Sequence, residues 1–184
     1  MPPKVKFTRE DVLRAAFELV SAQGIDALNA RAIAARLGSS TQPLFRVFAN
    51  MDELRAEVTR MAYDKYYEYI EKQGDPDMPR YKRAGMGYIR FAREEPQLFR
   101  MLFMRDRSGL DQSPDAKYSD ILHISAEATG LDIETSKLFH LHMWVYVHGL
   151  ATMAATNYLD LDDELISTLL SGHFRAMLTS ISKD

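Results

Sequence analysis

Ser40, Thr41, Gln42 and Arg46 place two hydroxyls, an amide and a guanidinium along one short stretch, with the Phe45 ring among them. These are the groups that hydrogen-bond base edges and phosphate oxygens in a nucleic-acid groove. To reach the floor of a major groove about 12 Å wide, a helix must be gripped by its apolar side while its N-terminal end stays free. Leu44, Val47 and Phe48 supply such an apolar side. The other chemically capable residues point elsewhere. The chain has no cysteine, which excludes disulfides, thiolate metal sites and a cysteine nucleophile. His140, His142 and His148 invite a metal reading, but no His-Glu-x-x-His pattern occurs. Histidines hydrogen-bonded in a core or an interface are the favoured account. Glu94-Glu95 and Asp162-Asp163-Glu164 stand at expected helix boundaries, where carboxylates cap and solvate. There is no Gly-x-Ser-x-Gly elbow, phosphate loop or dinucleotide fingerprint. Neither catalysis nor a cofactor nor a metal site is expected.

The elements that would hold the polar stretch read as helices almost throughout, an all-α chain. Thr8 with Asp11 makes a capping-box variant ahead of Val12, Ala15, Ala16, Leu19 and Val20 at helical spacing, and Gly24 stops that run. Asn29 caps a second helix whose Ala30, Ile33, Ala34 and Leu37 share a face, ended by Gly38. Ser39 and Ser40 offer the next cap, with Pro43 in the first turn of a third helix, where its missing N–H is no loss. Three helices within about 45 residues, the last two joined by a Gly-Ser-Ser turn, have the layout of a helix-turn-helix. An ordinary three-helix bundle with a polar outer face shares this spacing, so spacing alone leaves both readings open.

Asn50 and Asp52-Glu53 mark a fourth helix, with Leu54, Val58, Met61, Ala62 and Tyr66 as its stripe to about Lys72. The run Gln73 to Pro79 is a loop. A helix from about Pro79 to Arg93, a break at Glu95-Pro96 and a short apolar helix through Leu98 and Phe103 follow, then a polar loop from Arg105 to Asp115. The remaining helices span about 116–129, 134–157 and 162–182, nine in all. In the last, Ile166, Leu169, Leu170, Phe174, Met177, Leu178 and Ile181 make a stripe too wide for one neighbour, which calls for a second copy of the chain. The chain is expected to divide into residues 1–50 and 51–184.

The charge is uneven along the 184 residues. Residues 1–50 carry seven basic and four acidic side chains, whereas the remaining 134 carry 16 basic and 22 acidic. A basic head on an acidic body lets only the head meet a polyanion. Lys4 and Lys6 could extend that reach into a minor groove, or belong to a solubilising tail. A hydrophobic content of 46% excludes wholesale disorder. No apolar run approaches the ~18 residues of a membrane span, and the N-terminal residues lack the apolar core of a secretory signal. A cytoplasmic protein is expected.

The stretch Leu28-Asn29-Ala30-Arg31-Ala32-Ile33-Ala34-Ala35-Arg36-Leu37-Gly38, continuing through Ser39-Ser40-Thr41-Gln42-Pro43-Leu44-Phe45-Arg46-Val47-Phe48 to Asp52-Glu53-Leu54, resembles the DNA-binding signature of the tetracycline-repressor (TetR) family of bacterial transcriptional regulators. The resemblance implies a helix-turn-helix DNA-binding domain over 1–50 and a ligand-binding and dimerisation domain over 51–184, in a repressor dimerised by its last two helices and released from a palindromic operator by a small molecule. It implies that Asn29, Ala30 and Arg31 lie at the phosphate-facing start of the second helix. Ser40, Thr41, Gln42 and Pro43 would approach base edges, with Phe45 packed on sugar and Arg46 on bases or phosphates. Phe45, Val47 and Met51 depart from the commoner Tyr, His and Lys, which removes phosphate contacts. These departures leave room for a helical ligand-binding or interaction module without DNA binding. Residues 86–103 with Trp144, His148 and Gly149 are similar to a subgroup named for a Trp-His-Gly pattern. That likeness implies a ligand cavity lined by Tyr88, Phe91, Phe99, Phe103, Met104, Trp144, His148 and Met153, with Arg90, Asn157 and Tyr158 as further polar handles. Such stripes also serve as plain core.

Overall fold

The computed structural model describes residues 7–71, 75–106 and 117–181. Among these residues there are nine α-helices and no strand. They are α1 (Arg9–Gln23), α2 (Ala30–Arg36), α3 (Leu44–Val47), α4 (Met51–Glu71), α5 (Arg80–Glu94), α6 (Pro96–Phe103), α7 (Tyr118–Thr129), α8 (Ile133–Ala155) and α9 (Asp163–Ile181). Lys4, Lys6, Gln73, Gly74 and most of the 105–115 loop fall outside the described residues.

Local chemistry sets most helix ends. Thr8 accepts from Asp11 N–H while Asp11 accepts from Thr8 N–H, a reciprocal capping box. Asn29 Oδ1 accepts from Ala32 N–H at 3.0 Å, and Asn50 Oδ1 accepts from Glu53 N–H at 2.9 Å. Gly130 closes α7 in the left-handed region. One end differs from expectation. Ser39 and Ser40 do not cap α3, because the Ser39 hydroxyl donates to the Ser40 carbonyl instead. The chain bends at Thr41 and turns at Gln42 and Pro43, and α3 is the four-residue helix that follows.

Contacts divide the chain into two compact units. The first holds residues 1–65 and 95–105, the second 66–94 and 106–184. Compactness therefore falls differently from the functional division drawn at residue 50. The early turns of α4 and all of α6 share a core with α1–α3. Val12, Ala16 and Val20 of α1, Ile33 of α2, Leu44 of α3, then Phe48, Leu54, Val58, Leu98, Phe99 and Leu102 are all but inaccessible there. Each large apolar side chain buried this fully contributes about 1.5–3 kcal/mol. Tyr63 packs edge-on against Phe103 within this first unit.

In the second unit α5 is the central element, packed on α7, α8 and α9. Tyr88, Ile89, Phe91 and Ala92 of α5 are buried with Phe139, Met143, Val147 and Ala151 of α8. Tyr66 and Tyr69, in the last turns of α4, set their rings against Phe91. Gly87 makes the close crossing possible: a Cβ there would stand 2.3 Å from the Tyr69 carbonyl oxygen. Arg90 and Arg93 clip α5 to the start of α9 through Asp163, at 2.6 and 2.9 Å. Arg90 is thus committed to a carboxylate rather than serving as a ligand handle.

The wide stripe of α9 is largely consumed inside the chain. Phe174, Met177, Leu178 and Ile181 pack on a buried cluster of Tyr81, Phe139 and Met143. Exposed apolar side chains gather on α8, at Leu138, Leu141, Trp144, Val145 and Met153, Val145 at 60%, with Leu165 exposed on α9. Width of a stripe says how many neighbours a helix needs, not which chain supplies them.

Candidate nucleic-acid interface

The first unit builds its polar face from the core outward. α1 packs on α2 and α3, so the buried Ile33, Ala34 and Leu44 hold both short helices from beneath. Gly38 turns the chain between them at φ 61°, a conformation that costs a side-chain-bearing residue roughly 1–2 kcal/mol. Above this platform Ser40, Gln42, Phe45 and Arg46 are exposed, while Thr41 and Pro43 are half-buried. Phe45, half exposed, is a large hydrophobic residue that the first unit leaves open. At the start of α2, Asn29 and Arg31 are exposed and Ala30 is half-buried. The Asn29 amide is occupied at both ends: besides the cap, its nitrogen donates to the Ala27 carbonyl.

Charge pairing decides which cations could meet a polyanion. Arg14 pairs with Asp11 at 2.7 Å and Arg36 with Glu18 at 2.7 Å. Arg9 is held by Glu53 and Glu57, and Arg55 donates to the Leu28 carbonyl. Among the described residues 7–50, Arg31 and Arg46 are the arginines without an ion-pair partner, and both are exposed. Arg31 lies on α2 and Arg46 on α3, one on each helix of the pair. The positions named from sequence therefore combine the free cations with the exposed hydroxyl and amide groups. Sequence reasoning missed the work of Arg9 and Arg55. An arginine in the first turn of α1, with carboxylates opening α4, was the available signal.

The eight residues expected to line a cavity fall into both units. In the first, Phe99 is fully buried with its ring 5.4 Å from that of Phe103, and Met104 is exposed. In the second, Phe91 is fully buried, Tyr88 Oη hydrogen-bonds His148 Nδ1 at 2.9 Å, and the Trp144 ring stacks on His148. Trp144 and Met153 lie at the surface, as do Asn157 and Tyr158. The structure brings Tyr88, His148 and Trp144 together, and Met153 stands in the last turn of α8.

A second pair repeats the first. Tyr81 Oη lies 2.9 Å from His140 Nδ1, so tyrosines two turns apart on α5 meet histidines just over two turns apart on α8. Matching spacings on the two helices were the signal that could have revealed these pairs. Burial holds the His140 and His148 imidazoles below the usual histidine range and raises the Tyr81 phenol. His140 and His148 are hydrogen-bonded within the fold, as expected of them, and burial favours their neutral form. Among the described residues no group of three or more His, Cys, Asp or Glu is placed to hold a metal ion.

A short helix lodged on an apolar platform with free arginines at its edges, joined to an all-helical body, defines a helix-turn-helix DNA-binding regulator. Profiles of protein families agree with this class. The description "Bacterial regulatory proteins, tetR family" matches residues 12–58, and "Tetracyclin repressor-like, C-terminal domain" matches residues 82–178. The chain belongs to the tetracycline-repressor family of transcriptional regulators. No curated protein matches it by sequence. Solved structures share the fold. A TetR-like transcriptional regulator from Rhodococcus sp. RHA1 is 19% identical with a TM-score of 0.70, over 97% of this chain and 98% of that one. A TetR family protein from Vibrio parahaemolyticus is 18% identical with a TM-score of 0.65, over 91% and 97%. A TetR-family transcriptional regulator from Haemophilus influenzae is 17% identical with a TM-score of 0.62, over 91% and 94%. No helix among the described residues is long and apolar enough to cross a membrane.

Proposed function

We propose that the chain works as a homodimeric repressor that a small molecule releases from a palindromic operator. Residues 1–50 bind the DNA, and residues 51–184 dimerise and bind the effector. The observation that carries the reading is the exposed set Ser40, Gln42, Phe45 and Arg46 on a rigid platform, with Arg31 and Arg46 free of carboxylate partners. In the proposed complex Arg31 and the first turn of α2, from Asn29 and Ala30, meet phosphates. Ser40, Thr41, Gln42 and Pro43 approach base edges, Phe45 packs on sugar, and Arg46 contacts a base or phosphate. The apolar face of α8 supports pairing with a second copy, because surface of this kind is rare on a lone soluble chain. Tyr88, Phe91, Trp144, His148 and Met153 of the second unit are proposed to receive the effector. Phe99, Phe103 and Met104, which fall in the first unit, are not assigned to that role. The effector acts by binding the DNA-incompetent state more tightly than the competent one. Localisation in the cytoplasm follows from meeting chromosomal DNA.

The test is fluorescence anisotropy with a labelled random-sequence duplex across a salt series. The reading predicts binding at low salt that weakens as salt rises, with a shallow slope set by few phosphate contacts. Absence of binding in dilute buffer overturns it.

A further inference from the structure

Arg9, in the first turn of α1, touches both the end of α3 and the start of α4. Its Nη1 donates to the Val47 carbonyl at 3.3 Å and to Glu53 Oε1 at 3.1 Å. Nη2 lies 3.0 Å from the same Glu53 oxygen and 3.5 Å from Glu57 Oε1. The guanidinium also stands 4.1 Å over the centroid of the buried Phe48 ring. Val47 closes α3, so its carbonyl is one that a helix end leaves without an intrahelical donor. Glu53 Oε2 accepts from Ala49 N–H at 2.7 Å, and Asn50 Oδ1 receives the Glu53 N–H. One planar fork thus ties the last carbonyl of α3, the ring after it, and the carboxylate that closes the first turn of α4.

Four residues are too few for a helix to hold its own direction through internal hydrogen bonds. The heading of α3 must be set from outside, by Leu44 and Phe48 beneath it and by Arg9 at its end. We infer that Arg9 is a positioning residue for groove reading: through Glu53 it fixes the heading of α3 to the first turn of α4. The inference rests on the operator reading above and adds a residue that orients the reading element.

The pair is a small part of the fold's stability. Both side chains are more than a third exposed, and ion pairs of that kind shift the folding equilibrium by no more than about fivefold. An effect on sequence discrimination larger than this identifies positioning rather than general support. The wild-type chain first selects a consensus duplex from a random library. Affinities for that duplex and for a scrambled one are then measured for wild type, Arg9→Ala, Arg9→Lys and Glu53→Gln, with melting curves confirming folded protein. The ratio of specific to random affinity, ordinarily roughly 10³–10⁷, should fall about tenfold or more in all three variants. Lysine should fail to rescue because a single ammonium cannot span the Val47 carbonyl and the Glu53 carboxylate as the fork does. Arg9→Ala and Glu53→Gln change net charge in opposite directions, so a shared loss cannot come from bulk electrostatics. An unchanged ratio overturns the inference. So does a parallel loss of both affinities in Arg9→Ala that lysine restores, which would make Arg9 a plain phosphate contact. If wild type enriches no consensus, the operator reading falls and the inference with it.

Discussion

A guanidinium already satisfied by a carboxylate gains little from a phosphate, because the new contact must first break the old one. That rule separates Arg31 and Arg46 from Arg9, Arg14 and Arg36, which are paired. Replacing Arg46 by alanine should weaken binding to a selected operator by about 1–3 kcal/mol if it reads a base, as competition footprinting would measure. Unchanged affinity removes Arg46 from the interface. The exposed polar set was legible in the sequence because residue types suited to base edges sit together on one side of an apolar stripe. The pairing of Arg9 with Glu53 was not, since a contact between residues 44 positions apart leaves no periodic trace. Nor did Arg90 show in advance that Asp163, at the start of a distant helix, would claim it.

At the scale of elements, helix ends set by neighbours in sequence were readable, and ends set by competition were not. The Thr8–Asp11 box and the Asn29 and Asn50 caps follow from side chains three residues from the groups they bind. The late start of α3 depends on the Ser39 hydroxyl choosing a carbonyl over a cap. The crossing of α4 and α5 depends on Gly87, whose added methyl would meet backbone rather than a movable side chain. Gly87→Ala should therefore cost about 1–3 kcal/mol of stability in chemical denaturation with helix content retained. A neutral substitution would mean the helices part without strain. The α5–α8 contact adds a pH dependence. His140 and His148, and His173 on α9, are held below 6.5 chiefly by burial. The unfolded chain then binds more protons below that value, so the stability these rings lend is present above pH 6.5 and lost as pH falls below it. The melting temperature should drop between about pH 7.5 and about pH 5.5, and His140→Gln should flatten the fall. A flat profile in the parent protein contradicts this.

For the whole molecule, the all-helical class was legible from periodicity and caps, while the division into units was not. Compactness depends on which helices meet, and α6 joins a core that α1–α3 assemble from residues at least forty positions before it. The partner of the wide α9 stripe was likewise hidden, since much of it packs on Tyr81, Phe139 and Met143 of the same chain. The case for a second copy now rests on α8. Val145→Glu leaves a side chain that is 60% exposed in the single chain, so folding should survive. Sedimentation should nevertheless shift from two chains to one, and operator affinity should fall with it. A dimer that withstands the change would place the interface elsewhere. The central claim is that two copies present paired reading helices to one face of a duplex, which symmetry translates into an inverted repeat. In vitro selection on random duplexes, followed by stoichiometric titration of the winner, tests it most directly. Two half-sites in inverted orientation, spaced by about one helical turn of ~34–36 Å or a multiple of it and saturated by paired chains, is the predicted result. Enrichment of a single asymmetric site bound by one chain, or no enrichment at all, would contradict the account.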